Sequence, residues 1–119
     1  MFVLPDTGGG ADPICGILCR LGLSFNYRGF YQMAWALRLA KAEPERLLLV
    51  TKDIYPDVAR QCRTTRMAVE RNLRTAVKVI WRAGTPLLWE VMGEGERIRP
   101  CTARFLALLT AYLTREDAA

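Results

Sequence analysis

TKDIYPDVARQCRTTRMAVERNLRTAVKVIWRAG, residues Thr51 to Gly84, holds two helical signals separated by a short polar turn. From Thr65 to Arg82 the sequence sorts at 100° per residue: Val69, Leu73, Ala76, Val77 and Ile80 fall on one side, and Met67, Glu70, Arg71, Arg74 and Lys78 on the other. Seven basic residues lie between positions 60 and 82 (60, 63, 66, 71, 74, 78 and 82) with one acid, Glu70. Their net +6 exceeds the +5 of the whole chain. The rest of the protein is therefore slightly acidic, and the positive charge sits where a phosphate backbone would need it. Pro56 opens the preceding helix, with Val58, Ala59 and Cys62 expected to face inward. Cys62-Arg63-Thr64 forms the turn, Thr64 or Thr65 supplies the cap, and Gly84 suits the far end. The pattern is that of a helix-turn-helix whose second helix has one basic face, a physical case for binding duplex DNA.

Working outward, 119 residues at 51% hydrophobic suffice for one core and one domain. A pI near 9.3 favours an anionic partner. The longest apolar runs, Leu47 to Val50 and Phe105 to Leu109, are far shorter than the roughly 20 residues that span a bilayer, so no membrane partner is expected. The start, MFVLPDTGGGADP, lacks the basic and apolar regions of a signal peptide, which points to a cytoplasmic protein. Residues 1–12 read as a flexible leader, 13–116 as the domain and 117–119 as a tail.

Four cysteines, at 15, 19, 62 and 101, form no CxxC, and there is no histidine. Cys15 and Cys19 lie one helical turn apart and could share a metal, but buried structural thiols fit the spacing better, and no metal or other cofactor is expected. Without histidine a Ser/His or Cys/His nucleophile system is excluded, and no glycine-rich phosphate loop follows a strand. Nothing argues for an enzyme.

Asp12-Pro13 is an N-cap and N1 pair opening a helix through Leu21, with Ile14, Ile17, Leu18 and Leu21 in one stripe, and Gly22 ends it. A longer helix is expected over 27–42, with Phe30, Met33, Ala34, Leu37 and Ala40 inward and Glu43-Pro44 as the stop. Residues 47–55 fit a buried strand or a buried helical turn. With no partner strand elsewhere, helix is the reading. Leu87, Leu88, Trp89, Val91 and Met92 form a short apolar group, followed by a polar loop over 93–100. Thr102 is expected to cap a last helix to about Arg115, with Phe105, Leu106, Leu109, Tyr112 and Leu113 on its apolar face.

These residues carry a family resemblance. Cys19-Arg20-Leu21-Gly22, Tyr27-Arg28-Gly29, Thr51 through Ala59, Thr64-Thr65, Val69-Glu70-Arg71, Arg74, Trp81 and Gly84 together resemble the C-terminal DNA-binding domain of the stage-zero sporulation response regulator. Pro100 through Leu113 extend the likeness. The resemblance implies an all-α, compact six-helix domain containing a helix-turn-helix, a regulator of transcription that binds short promoter boxes, often as tandem head-to-tail pairs. It further implies base reading by Glu70, Arg71 and Arg74, where arginine pairs bidentately with guanine and glutamate accepts from cytosine N4. Read from the residues alone, Glu70 serves equally as the partner of Arg74 at i, i+4, worth about 0.3–0.5 kcal/mol. Arg60, Arg63, Thr64, Thr65, Arg66 and Lys78 are the candidate phosphate contacts.

The chain departs from the family at three places. Ala68 stands where the family has its first reading arginine. The stretch after Gly84, where the family contacts the sigma subunit of RNA polymerase, is shorter and differs in residues. Thirteen leading residues cannot hold a phosphoacceptor receiver domain, so the sequence is either an excised domain or a stand-alone protein. A protein-interaction module on the same scaffold, pairing with a related regulator, is the alternative reading.

Overall fold

A computed structural model describes residues 12–95 and 97–118; of the expected leader, 1–12, residues 1–11 lie outside them, and Asp12 is the cap of the first helix. Six α-helices follow one another among the described residues, with no strand: α1 (Pro13–Arg20), α2 (Gly29–Ala42), α3 (Tyr55–Gln61), α4 (Arg66–Ala83), α5 (Pro86–Met92) and α6 (Thr102–Ala118). The all-helical reading of the sequence is what the chain adopts.

Helix α1 starts as its sequence dictates. The Asp12 carboxylate accepts from the Ile14 N–H at 3.0 Å, Pro13 needs no acceptor, and Gly22 leaves the last turn at φ 93°. Helix α2 is the central element and packs on α1, α4 and α6. Its inward positions Phe30, Met33, Ala34, Leu37 and Ala40 are all buried. It begins at Gly29, two residues later than the periodicity suggested, because Tyr27 is tied up in the preceding turn, its N–H donating to the Ser24 carbonyl at 3.1 Å. Gly29 is required by packing, since a Cβ there would sit 2.6 Å from the carbonyl oxygen of Asn72 on α4. Beside it the Asn72 amide donates to the buried Gln32 side chain at 3.2 Å, so the α2–α4 seam has a polar register mark within an apolar contact.

Residues 47–55 are helical, as expected, but only Tyr55, the first residue of α3, is α-helical. Pro44–Leu49 form a 3-10 helix and Val50–Ile54 a π-helix that runs straight into α3. The apolar LLLV run is only partly inside: Val50 is buried, whereas Leu48 and Leu49 are exposed. Arg46 holds this segment. It donates from Nε to Asp53 at 2.9 Å and from Nη2 to Asp57 at 2.9 Å, and Asp57 also pairs with Arg60 at 2.8 Å. Asp53 and Asp57 are one turn apart across the junction, so one guanidinium bridges the irregular segment and α3.

The last helix runs to Ala118, beyond Arg115, and Lys41 of α2 pairs with Asp117 in its final turn. Thr102 is the first residue of α6 rather than its cap. Cys101 stands at the cap position, its carbonyl accepting from the Phe105 N–H at 2.9 Å, while the Thr102 side chain hydrogen-bonds Tyr55 at the start of α3. The buried-thiol reading of the cysteine pair holds only in part: Cys15 is half-buried, its thiol donating to Asp12 at 3.3 Å, but Cys19 is exposed. Burial, reinforced by the Asp12 carboxylate, pushes the Cys15 thiol up to about 12.

Candidate nucleic-acid interface

The link between α3 and α4 is built from backbone. The Thr64 N–H donates to the Ala59 carbonyl at 2.9 Å and the Arg63 N–H to the Arg60 carbonyl at 3.4 Å, the paired bonds of a Schellman ending, with Arg63 itself left-handed at φ 53°. Glycine usually fills that position, because an L side chain there costs of order 1 kcal/mol. An arginine held in a strained backbone at the tip of the turn, and exposed, makes Arg63 a strong candidate for contact with an external anion. Thr65 then caps α4, its hydroxyl oxygen accepting from the Ala68 N–H at 3.1 Å. Thr64, the other candidate cap, is half-buried behind it. Gly84 closes the helix in the left-handed region at φ 54°.

Helix α4 buries Val69, Leu73, Ala76, Val77 and Ile80, the five residues its periodicity selects. Arg60, Arg63, Arg66, Glu70, Arg71, Arg74 and Lys78 are all exposed, so turn and helix form one continuous basic surface. Among the described residues, ion pairs engage only two of these cations. Arg60 meets Asp57, and Arg74 approaches Glu70 at 3.8 Å with both side chains at least half exposed, a contact worth a few tenths of a kcal/mol. Asp57 is largely committed elsewhere. Burial opposes its ionisation, but the hydrogen bond from Arg46 and the charges of Arg60 and Arg46 prevail and hold its carboxyl below the usual range.

The exposed residues of α4 divide into two flanks. Glu70, Arg74 and Lys78 line a cleft of about 580 Å³ whose opposite wall is Arg99 to Ala103, with the exposed Thr51 and the buried Tyr55 also in its lining. Arg71 is not among the residues lining this cleft and stands on the open side, next to Met67, which is 75% exposed. The three proposed base readers therefore do not share one environment. Tyr55 is nearly enclosed, and burial pushes its phenol up despite the opposing hydrogen bond from Thr102. Arg99 and Tyr55 were not singled out by sequence reasoning. Their signal was weak: a basic Arg97-Ile98-Arg99 next to Pro100, and a tyrosine at a helix start.

Ala68, in the first turn of α4, is half-buried with its N–H engaged by Thr65, so the helix start needs no longer side chain there for its own stability. Beyond Gly84, α5 and the following loop fold back on the end of α4, where Trp81 of α4 and Trp89 of α5 meet edge to face at 5.3 Å and Arg97 lies over the Trp89 ring at 4.2 Å. No helix is long and apolar enough to cross a membrane among the described residues.

Comparison with known families finds a match, over residues 14–113, to the family described as the sporulation initiation factor Spo0A C terminal. The matched region runs from the first turn of α1 into the last turns of α6 and includes the capped turn, the basic face and both walls of the cleft. With that span and this helical order, the chain belongs to the family of the sporulation initiation factor Spo0A C-terminal domain, a family of DNA-binding regulator domains.

Proposed function

We propose that this domain is a sequence-specific, non-enzymatic regulator of transcription that places α4 in the major groove of duplex DNA in the cytoplasm. The observation that carries the reading is the basic face of α4: exposed, almost free of internal ion pairs, and continuous with the strained, arginine-bearing turn. Glu70, Arg71 and Arg74 near the helix start are the base readers, Arg71 from the open side and Glu70 with Arg74 from the cleft side. Arg60, Arg63, Arg66 and Lys78, with the hydroxyls of Thr64 and Thr65, hold the phosphates. Two copies lie head to tail on neighbouring boxes. A contact with the sigma subunit of RNA polymerase would use α5 and the Arg97–Trp89 surface.

Selection of bound sequences from a random duplex pool, followed by titration of the selected box, tests this. Arg71→Ala or Arg74→Ala is expected to cost about 1–3 kcal/mol on that box and far less on unrelated DNA. Lys78→Ala should weaken all sequences alike. Removing the lone acid by Glu70→Ala should raise affinity for random DNA while relaxing discrimination at one C·G pair. Equal losses on selected and random duplexes from the two arginine variants would reduce the face to an electrostatic surface. No binding to any duplex, at low salt as at moderate salt, would leave the protein-interaction reading in its place.

A further inference from the structure

The cleft between α4 and the segment leading into α6 extends past the two base readers on its rim, Glu70 and Arg74, and its charge is mostly positive. Arg74 and Lys78 come from one wall and Arg99 from the other, with Glu70 the only carboxylate among its lining residues. Glu70 faces Arg74, leaving Lys78 and Arg99 without an ion pair among the described residues. The Arg99 wall ends in the first turn of α6, where Thr102, Ala103 and Arg104 carry backbone N–H groups with no acceptor inside the helix. Tyr55 fixes that wall to the helix-turn-helix, since its buried ring starts α3 and its hydroxyl is hydrogen-bonded to Thr102.

We propose that this cleft is a phosphate site of the protein, in which Arg99 and Lys78 clamp one backbone phosphodiester beside the groove that α4 enters. The proposal rests on the duplex-binding reading above and adds to it a second contacting element, distant in sequence from the helix-turn-helix. The site is open, as a polymer ligand requires, and its cations come from two elements braced against each other by Tyr55 and Thr102. Lys78 acts from the cleft, and the 99–103 segment fixes how far α4 rolls in the groove.

The test uses the full chain and a set of selected-box duplexes, each carrying a neutral methylphosphonate at one backbone position. Neutralising one particular phosphate beside the box should weaken the wild-type protein, and Arg99→Ala should be insensitive to that same replacement. The slope of log affinity on log salt should fall by about 0.9 in the variant, the share of one phosphate. Arg20→Ala is the net-charge control. Arg20 lines a depression with Glu116 and Asp117 at the opposite end of α6, and its loss should leave the phosphate map unchanged.

If wild-type protein binds duplexes but Arg99→Ala keeps both the slope and the full phosphate map, the clamp is wrong and the duplex reading stands. If wild-type protein binds no duplex, the functional reading itself falls. Stabilisation of the wild-type protein by inorganic phosphate alone, lost in Arg99→Ala with no duplex phosphate coupled to Arg99, would make the cleft a receptor for a free anion and overturn the backbone assignment.

Discussion

Helix α4 keeps one hydrogen-bond register for 18 residues, whereas residues 44–54, ahead of α3, pass from a 3-10 helix into a π-helix within about three turns. The first is held by an apolar stripe and two caps, all local to its own sequence. The second buries Val50 and Ile54 but leaves Leu49 and Leu48 outside, Leu48 at 84% exposure, and is fastened by Arg46 to two aspartates. Apolar stripes enforce the regular period, because one extra residue rotates the stripe beyond it by about 100°, off the core. A guanidinium clamp tolerates irregular backbone as long as its two carboxylates arrive together. The exposed basic surface stands on the regular element, and the irregular one leads into the helix in front of it.

The contrast breaks most sharply at Leu73, fully buried in the middle of the α4 stripe. Leu73→Ala is expected to cost about 2–5 kcal/mol in urea unfolding. A cost below 1 kcal/mol would mean that α4 is not seated on the core.

Arg46→Met is the matching cut in the irregular segment, with an expected loss of about 1.5–3 kcal/mol near neutral pH, the worth of charge-assisted hydrogen bonds. Its pH dependence identifies the cause. Because the folded carboxyl of Asp57 is held low, its contribution is complete above about pH 4 and disappears as pH falls through the lowered value. The gap between variant and wild type should therefore narrow on acidification. A gap constant from pH 7 to pH 2 would assign the loss to packing instead.

Gly29→Ala tests the seam between α2 and α4, where the added methyl meets backbone rather than a movable side chain. Its expected cost is about 1–3 kcal/mol, measured as a shift of the chemical midpoint at unchanged slope. Thr65→Ala, which removes the α4 cap, should cost about 1 kcal/mol; fraying confined to the first turn in amide exchange would support that origin.

The smallest effect has the opposite sign. Arg63→Gly relieves a left-handed arginine and is expected to raise stability by about 0.5–1 kcal/mol. In the same protein, duplex affinity should fall and the salt slope with it. A variant that gains stability and keeps its affinity would remove Arg63 from the interface.

The two regions also differ in how far their sequences could be read. Five inward residues of α4, its cap and its terminal glycine are legible because each depends on neighbours within one or two turns. Around residues 47–55 the helical character is legible but its type is not. The choice between α, 3-10 and π depends on Arg46 reaching Asp57, and on packing against α2, neither of which has a periodic signature. Thr102 shows the same limit at a single side chain: the residue type and position suit a cap, yet its hydroxyl serves a tyrosine from a distant helix.

What the sequence determined by itself is which face of each helix is apolar, where most helices begin and stop, and that positive charge collects between residues 60 and 82. These follow from side-chain period and capping chemistry, which are local. Only the tertiary structure decided that Arg71 stands in the open while Glu70 and Arg74 border a cleft, and that Arg99 forms its other wall. A helical period says which residues point away from the core. It does not say what stands beside them, because that is set by the packing of α6 and α3 around α4, through contacts made between residues far apart in the chain.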